Sequence, residues 1–314
     1  MATKNYNQNT MRNLTLTLLL LVSATFVQAQ TDTTQTLYTS LKEAVESPLS
    51  VYKLQVSDLE DIKRLPELSK LKNLEYLSLK GDRLTVFPRE IVNLKKLKVL
   101  DLSENEFTTL PEELSQMISL EEVYLNKDLK LDFDQAVGVL GKLPNLRVLQ
   151  LNDIGFKKLP AGIAKLSKLE VLTLRNDSLL TIPESIANLS ELKILDLGGN
   201  HFKELPESIV RLQNLQELYL DHDNGLDFRS AFILLGNLPR LRVLHLEAND
   251  LSDLPETINE IKSLEKLYLN QNELSIVNLK RNQLKRLMLV DLHENTVPVG
   301  TMGHLERTGV RIRF

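Results

Sequence analysis

The nine residues LSELKILDL, Leu189 to Leu197, close on an alternating Leu-x-Leu and space their earlier leucines three apart. Leu195-Asp196-Leu197 is a period-two signal, so it predicts a short strand with both leucines on one face. Leu189 and Leu192 lead into that strand and point to the same interior. The pattern recurs in both directions. LKNLEYLSL begins at Leu71, LKKLKVLDL at Leu94, MISLEEVYL at Met117, LPNLRVLQL at Leu143 and LSKLEVLTL at Leu166. Beyond the starting stretch, LQNLQELYL begins at Leu212, LPRLRVLHL at Leu238, IKSLEKLYL at Ile261 and LKRLMLVDL at Leu284. Each start follows the last by 23 residues, except that the units from Met117 and Leu212 are 26 long. A degenerate unit, VYKLQVSDL from Val51, leads the series.

One such unit cannot bury its own leucines. Stacking the units pairs each strand in parallel with the next, about 4.8 Å away, and merges the leucines into one core. Over residues 51–295 the chain resembles the leucine-rich repeat family, and is most similar to its 23-residue, Leu-Pro-containing class. That feature stands at Phe87-Pro88, Leu110-Pro111, Leu159-Pro160, Ile182-Pro183, Leu205-Pro206 and Leu254-Pro255. Each Pro presets φ for a tight helical turn on the outer side. The expected fold is α/β: a solenoid, wound as a right-handed superhelix, with a concave parallel sheet and short helices or turns on the convex side.

Three residues after the last strand leucine stands Asn105, Asn200, Asn249, Asn272 or Asn295, with Asp82, Asp128, Asp177 or Asp223 in other units. In the family this side chain bonds the backbone of neighbouring units, which answers the need of buried backbone groups for partners. Ile154 breaks the series, and either a distortion or Asp153 standing in is expected there. The two long units lack Leu-Pro and predict a longer outer helix. LDFDQAVGVLGKLPNLRVLQL (Leu131 to Leu151) and LDFRSAFILLGNLPRLRVLHL (Leu226 to Leu246) are near twins 95 residues apart. Asp132 reads as an N-cap with Gln135 as its capping partner. Phe133, Ala136, Val137 and Leu140 share a face, and Gly141 fits a left-handed C-terminal position. Asp227, Phe228, Ala231, Phe232, Leu235 and Gly236 repeat the scheme, so the chain contains a duplicated four-unit block.

The first 29 residues read as a signal peptide: Arg12, an apolar run from Leu14 to Val27, and small residues before Gln30. The run is too short to span a bilayer, which takes roughly 20 residues. Met11 is the more ordinary start. Residues 30–36 read as a polar lead and 37–50 as a helical cap. Residues 296–314 read as a C-terminal cap, with Val310, Ile312 and Phe314 alternating as an edge strand guarded by Arg311 and Arg313. The predicted location is secreted or periplasmic. The chain has no cysteine, which excludes disulfides, thiolate zinc sites and cysteine nucleophiles. The paired cap cysteines of extracellular animal relatives are therefore missing, which points to a bacterial source.

Neither a GxSxG elbow nor an HExxH motif occurs, so no catalytic residue, cofactor or metal is assigned. His222, His245, Asp221 and Glu247 come from adjacent units and read as a solvated acidic patch rather than a cation site. A formal net charge of −4 gives no basic footprint for nucleic acid. The residue between the two strand leucines faces the open side of the sheet. Among these are Asp101, Tyr124, Asp196, Tyr219, His245 and Tyr268, with Asp291 completing an aspartate series four units apart. Aspartates about 19 Å apart cannot share one catalytic site, and a surface repeating at that interval suits an extended partner. Tyr is enriched in binding hot spots, and Arg147, Arg175 and Arg242 on neighbouring strands add bidentate donors. The expected role is non-catalytic protein binding through the concave face. A surface or periplasmic glycan binder is the alternative, and a structural envelope protein the next.

Overall fold

Each Leu-x-Leu is led by a strand of three residues. In the computed structural model, which describes residues 36–56, 63–280, 285–298 and 310–314, these are β3 (Tyr76–Ser78), β4 (Val99–Asp101), β5 (Glu122–Tyr124), β6 (Val148–Gln150), β7 (Val171–Thr173), β8 (Ile194–Asp196), β9 (Glu217–Tyr219), β10 (Val243–His245), β12 (Lys266–Tyr268) and β14 (Leu289–Asp291). The degenerate first unit supplies β2 (Lys53–Gln55), and β15 (Arg311–Arg313) closes the series. The signal peptide, the polar lead before residue 36, Leu59, Leu284 and His304 lie outside the described residues.

From β2 onward these strands pair in parallel and in chain order. The register aligns Leu54, Leu77, Leu100, Val123, Leu149, Leu172, Leu195, Leu218, Leu244, Leu267 and Val290 into one file, every member fully buried. Each buried leucine contributes roughly 1.5–3 kcal/mol. The stack is an open parallel sheet, cored on one side only.

The prolines open the outer turns, as their fixed φ implies. Pro88, Pro111, Pro160, Pro183, Pro206 and Pro255 each precede a five-residue 3-10 turn, with φ between −72° and −55°. The Pro carbonyl accepts the amide three residues on, as in Ile186 N to Pro183 O at 3.0 Å. That third residue is Ile91, Leu114, Ile163, Ile186, Ile209 or Ile258, and it is buried in every unit. A 3-10 repeat eclipses positions i and i+3, so one short turn suffices to drop one side chain into the core. A second, two-stranded parallel sheet joins β11 (Asp253–Leu254) to β13 (Ile276–Val277).

The long units form α2 (Phe133–Leu140) and α3 (Phe228–Leu235), with the four apolar residues of each on the buried face. Asp132 caps α2 by accepting the Gln135 amide at 3.1 Å. The Gln135 side chain does not return to Asp132. It reaches the preceding unit, where Nε2 donates to Leu110 O at 2.7 Å and Oε1 accepts Leu110 N at 3.0 Å. Gly141 and Gly236 are not left-handed: their φ values are −63° and −58°. They are glycines because the next unit is close. A Cβ on Gly141 would lie 2.9 Å from Lys165 Cβ, and one on Gly236 3.0 Å from both Cβ and O of Glu260.

The asparagine series forms a buried hydrogen-bonded ladder. Asn105 Nδ2 donates to Leu79 O (2.8 Å) and Leu102 O (2.7 Å), and Asn200 Nδ2 to Leu174 O (2.7 Å) and Leu197 O (2.6 Å). Asn272 and Asn295 repeat this. Each amide thereby joins its own unit to the one before. The amide oxygen accepts in turn: Asn200 Oδ1 takes Asp177 N and Leu179 N. At Ile154 the side chain is buried and offers no such bonds. Asp153 does not stand in. It is held at φ 58° and accepts Asn176 Nδ2 at the surface. The next unit compensates, since Asp177 Oδ1 accepts the amides of both Ile154 (2.6 Å) and Gly155 (3.1 Å).

The leading cap is less helical than expected. It consists of β1 (Leu37–Tyr38), a four-residue helix α1 (Leu41–Ala44) capped by Ser40, and a 3-10 turn Pro48–Ser50. Leu41 and Ala44 are fully buried.

Candidate interaction face

On the face opposite the leucines, side chains line up in rows across the strands. The first row stands just ahead of the strands and is a file of ion pairs. Lys98 meets Glu75 at 2.9 Å, Arg147 meets Glu121, Lys193 meets Glu170 at 2.7 Å and Arg242 meets Glu265 at 3.7 Å. The central row holds the residues between the two leucines. They lie on this face but are far less exposed than expected. Tyr124, Asp196, Tyr219 and His245 are buried, while Asp101 and Tyr268 are half-buried. Strands about 4.8 Å apart put each side chain against its neighbours, so the row shields itself.

Three residues of that row form one stack. The His245 ring lies 3.8 Å from the Tyr219 ring and 4.4 Å from the Tyr268 ring, at interplanar angles of 9° and 6°. Two carboxylates fix the imidazole in its plane: Nε2 is 3.0 Å from Glu217 Oε1 and Nδ1 is 3.1 Å from Glu247 Oε1. Both nitrogens therefore donate, and the ring is an imidazolium. Burial opposes the charge, but the carboxylates of Glu247 and Glu217 outweigh it and push His245 up to about 9. A cation between two aromatic faces is further stabilised by the ring quadrupoles. Tyr219 Oη donates to Glu217 Oε1 at 2.6 Å, and Tyr124 makes the equivalent bond to Glu122. Burial holds both phenols well above their usual range.

Arg175 lies beside this stack and does not face solvent freely. Nη1 contacts Asp196 Oδ1 at 3.0 Å and Asp221 Oδ1 at 3.0 Å, and Nη2 contacts Asp221 Oδ2. It reaches from the unit of β7 past that of β8 to that of β9. Gly198 makes the passage possible, for a Cβ there would sit 2.4 Å from Arg175 Nη1 and 2.5 Å from Asp221 Oδ1. Burial alone would raise the Asp221 carboxyl. The Arg175 charge and the His222 hydrogen bond at 2.8 Å overcome it and hold Asp221 well below the usual range.

The structure thus joins Tyr219, His245 and Tyr268, and separately Arg175 with Asp196. It leaves Tyr124 four strands away on β5 and Asp101 on β4. The arginines do not converge. Arg147 and Arg242 precede their strands, whereas Arg175 follows β7 on the opposite flank. The supposed solvated acidic patch is a buried ion network: Asp221 belongs to Arg175, and His245 lies between Glu217 and Glu247. Among the described residues no group of three metal-ligating side chains is arranged to hold an ion, and no helix is long and apolar enough to cross a membrane. Sequence reasoning missed Glu217 and Gly198. Glu217 had a signal: Glu122-Val123-Tyr124 recurs as Glu217-Leu218-Tyr219 at the 95-residue interval.

Family models for leucine rich repeats match residues 72–129, and a leucine-rich repeat region matches residues 132–223. The chain is a leucine-rich repeat protein. No curated protein matches it. Among solved structures, the leucine-rich repeat chain is similar to one in the TLR13–ssRNA13 complex, at 24% identity and a TM-score of 0.61, covering 79% of this chain and 36% of that one. It is also similar to the plant peptide hormone receptor RGFR1 in complex with RGF2, at 21% identity and a TM-score of 0.52, covering 91% and 49%. A leucine-rich repeat protein of Leptospira interrogans is 24% identical with a TM-score of 0.46, covering 89% of this chain and all of that one. These likenesses concern the fold.

Proposed function

We propose that this leucine-rich repeat chain is an exported, non-catalytic module that binds a protein partner through the open face of its sheet. The supporting observation is the Tyr219–His245–Tyr268 stack. It fixes an aromatic surface before any partner arrives, and rigid aromatic area lowers the ordering cost of binding. Tyr268, the half-buried end of the stack, is the anchor. On the flanking strands and their lead-ins, Arg242, Lys266, Met288, Arg311 and Arg313 are exposed, with Arg242 paired to Glu265 and Arg313 to Asp291. An apolar centre with a cationic rim suits a partner segment that carries carboxylates beside an apolar side chain. Tyr219, Asp196 and Arg175 belong to the adjoining part of the same face, whereas Tyr124 stands four strands from Tyr219.

The test is affinity capture from envelope and extracellular fractions with four baits: wild type, Tyr268→Ala, the double variant Arg242→Ala with Lys266→Ala, and Lys203→Ala as a control on another surface. A partner held by wild type and control, and lost by both face variants, is the expected result. Equal recovery by all four baits rejects the reading. Glycan-array binding that depends on Tyr268, with no protein captured, replaces it with a carbohydrate ligand. Export is supported by the apolar run from Leu14 to Val27, and amino-terminal sequencing of the mature protein is expected to begin at Gln30.

A further inference from the structure

Three ladder positions with buried side chains carry aspartate instead of asparagine: Asp128, Asp177 and Asp223. The asparagine at this position performs two jobs. Its oxygen accepts a backbone amide, and its Nδ2 hydrogens satisfy carbonyl oxygens of its own unit and the one before. A carboxylate can perform the first job only. Asp128 Oδ1 accepts Asn105 N at 2.7 Å, and Asp177 Oδ1 accepts the amides of Ile154 and Gly155. The second oxygen of each is buried with no partner, and in Asp223 both oxygens are. By register that oxygen takes the place of Nδ2. The asparagine pattern, carried over by register, directs it toward the carbonyls of Leu102 and Leu125 for Asp128, of Leu151 and Leu174 for Asp177, and of Leu197 and Leu220 for Asp223, of which Leu102, Leu174, Leu197 and Leu220 also accept a neighbouring asparagine Nδ2. Oxygen facing oxygen without a hydrogen between them is repulsive, and a buried unpaired charge costs more still.

A metal ion does not resolve the conflict. It requires several oxygens at about 2.3–2.6 Å around a site of its own, whereas the ladder is packed at hydrogen-bond distance. A proton does resolve it. We propose that Asp128, Asp177 and Asp223 are neutral carboxylic acids in the folded chain, each carboxyl proton replacing the missing amide hydrogen, so that the stack takes up protons on folding and loosens as pH rises.

The surrounding charges agree with this. Burial is the largest influence on each group. The neighbouring charges are all negative: Asp101 and Glu104 for Asp128, Asp153 for Asp177 and Asp221 for Asp223. Only backbone amides oppose them: Asn105, Ile154 and Gly155 through the hydrogen bonds given above, and for Asp223 the Phe202 amide, which lies near the carboxyl without closing a well-formed hydrogen bond. Each carboxyl is raised from 3.8 to about 7. A carboxyl raised on folding gives stability that is complete below the unfolded value and disappears as pH climbs through the folded one. The window therefore runs from about pH 4 to pH 7. Between pH 5 and pH 8 the unfolding constant rises roughly tenfold to a hundredfold per site.

The experiment is urea unfolding at pH 5 and pH 8 of the wild type, Asp128→Asn, Asp177→Asn, Asp223→Asn and the combined variant. Asparagine already occupies five sister positions, so the fold accommodates it. The expected result is a higher midpoint for each variant at pH 8, little change at pH 5, and a combined variant that loses most of the dependence between these two values. His245 titrates in both wild type and variants, so its effect cancels in the comparison. Variants that shift equally at both pH values, or that unfold more easily at pH 8, overturn the proposal. If a variant fails to fold, infrared spectroscopy of the wild type decides instead. A protonated-carboxyl absorption present at pH 5.5 and lost by pH 9 while the fold persists supports it, and its absence at pH 5.5 refutes it.

Discussion

Arg175 is held by two carboxylates that water barely reaches, so removing it leaves Asp196 and Asp221 charged and uncompensated. Breaking a buried pair from one side costs about 3–5 kcal/mol. Arg175→Ala is expected to lose stability of that order in urea unfolding, with Arg175→Lys in between because an ammonium cannot hold both carboxylates bidentately. Gly198→Ala is expected to lose a comparable amount although it removes no contact, because its methyl group would stand in the guanidinium's path. His245 gives a pH signature. Its folded value is raised to about 9 from 6.5, so its contribution is complete below about pH 6.5 and lost as pH rises through 9. The wild type is expected to lose about 1–3 kcal/mol over that window. His245→Gln keeps hydrogen-bonding capacity without the titration, and its stability curve is expected to be flatter there.

Turns and helices carry a second set of consequences, at the scale of the single element. Gly138 lies inside α2, where an added Cβ would meet nothing within 4 Å, whereas Gly236 closes α3 against the Glu260 backbone. Gly138→Ala is expected to raise stability by about 0.5–1 kcal/mol, the usual cost of glycine in a helix interior. Gly236→Ala is expected to lower it, and thermal unfolding of the pair distinguishes propensity from packing. Strands, prolines and core leucines were legible in the sequence because each repeats at a fixed interval, and the period of two marks its own face. The helix ends were misread because Gly141 satisfies two rules at once: it suits a left-handed cap and it suits a close neighbour. Only the position of Lys165, 24 residues on, shows which applies. The cap of α2 was half legible for the same reason: Asp132 acts locally, and Gln135 acts on Leu110.

For the molecule as a whole, what the sequence left hidden runs sideways, from unit to unit. Tyr219, His245 and Tyr268 were recognisable as residues of one row, but nothing in their spacing says that they stack, or that Glu217 and Glu247 clamp the histidine between them. Row membership follows from the period. Exposure does not, because it depends on what the adjoining strand places at the same height. The dispersed Arg147, Arg175 and Arg242 show the same limit, since three arginines near strands need not share a flank. In a linear array whose units touch only their nearest neighbours, opening at one joint need not disturb the next but one. Arg175 breaks that rule by grasping Asp221 across an intervening turn of the coil. Amide protons of β7, β8 and β9 are therefore expected to exchange with deuterium as one cooperative block, more slowly than those of β3 and β4. Cutting this second-neighbour tie with Arg175→Ala is expected to let the three strands exchange at separate rates.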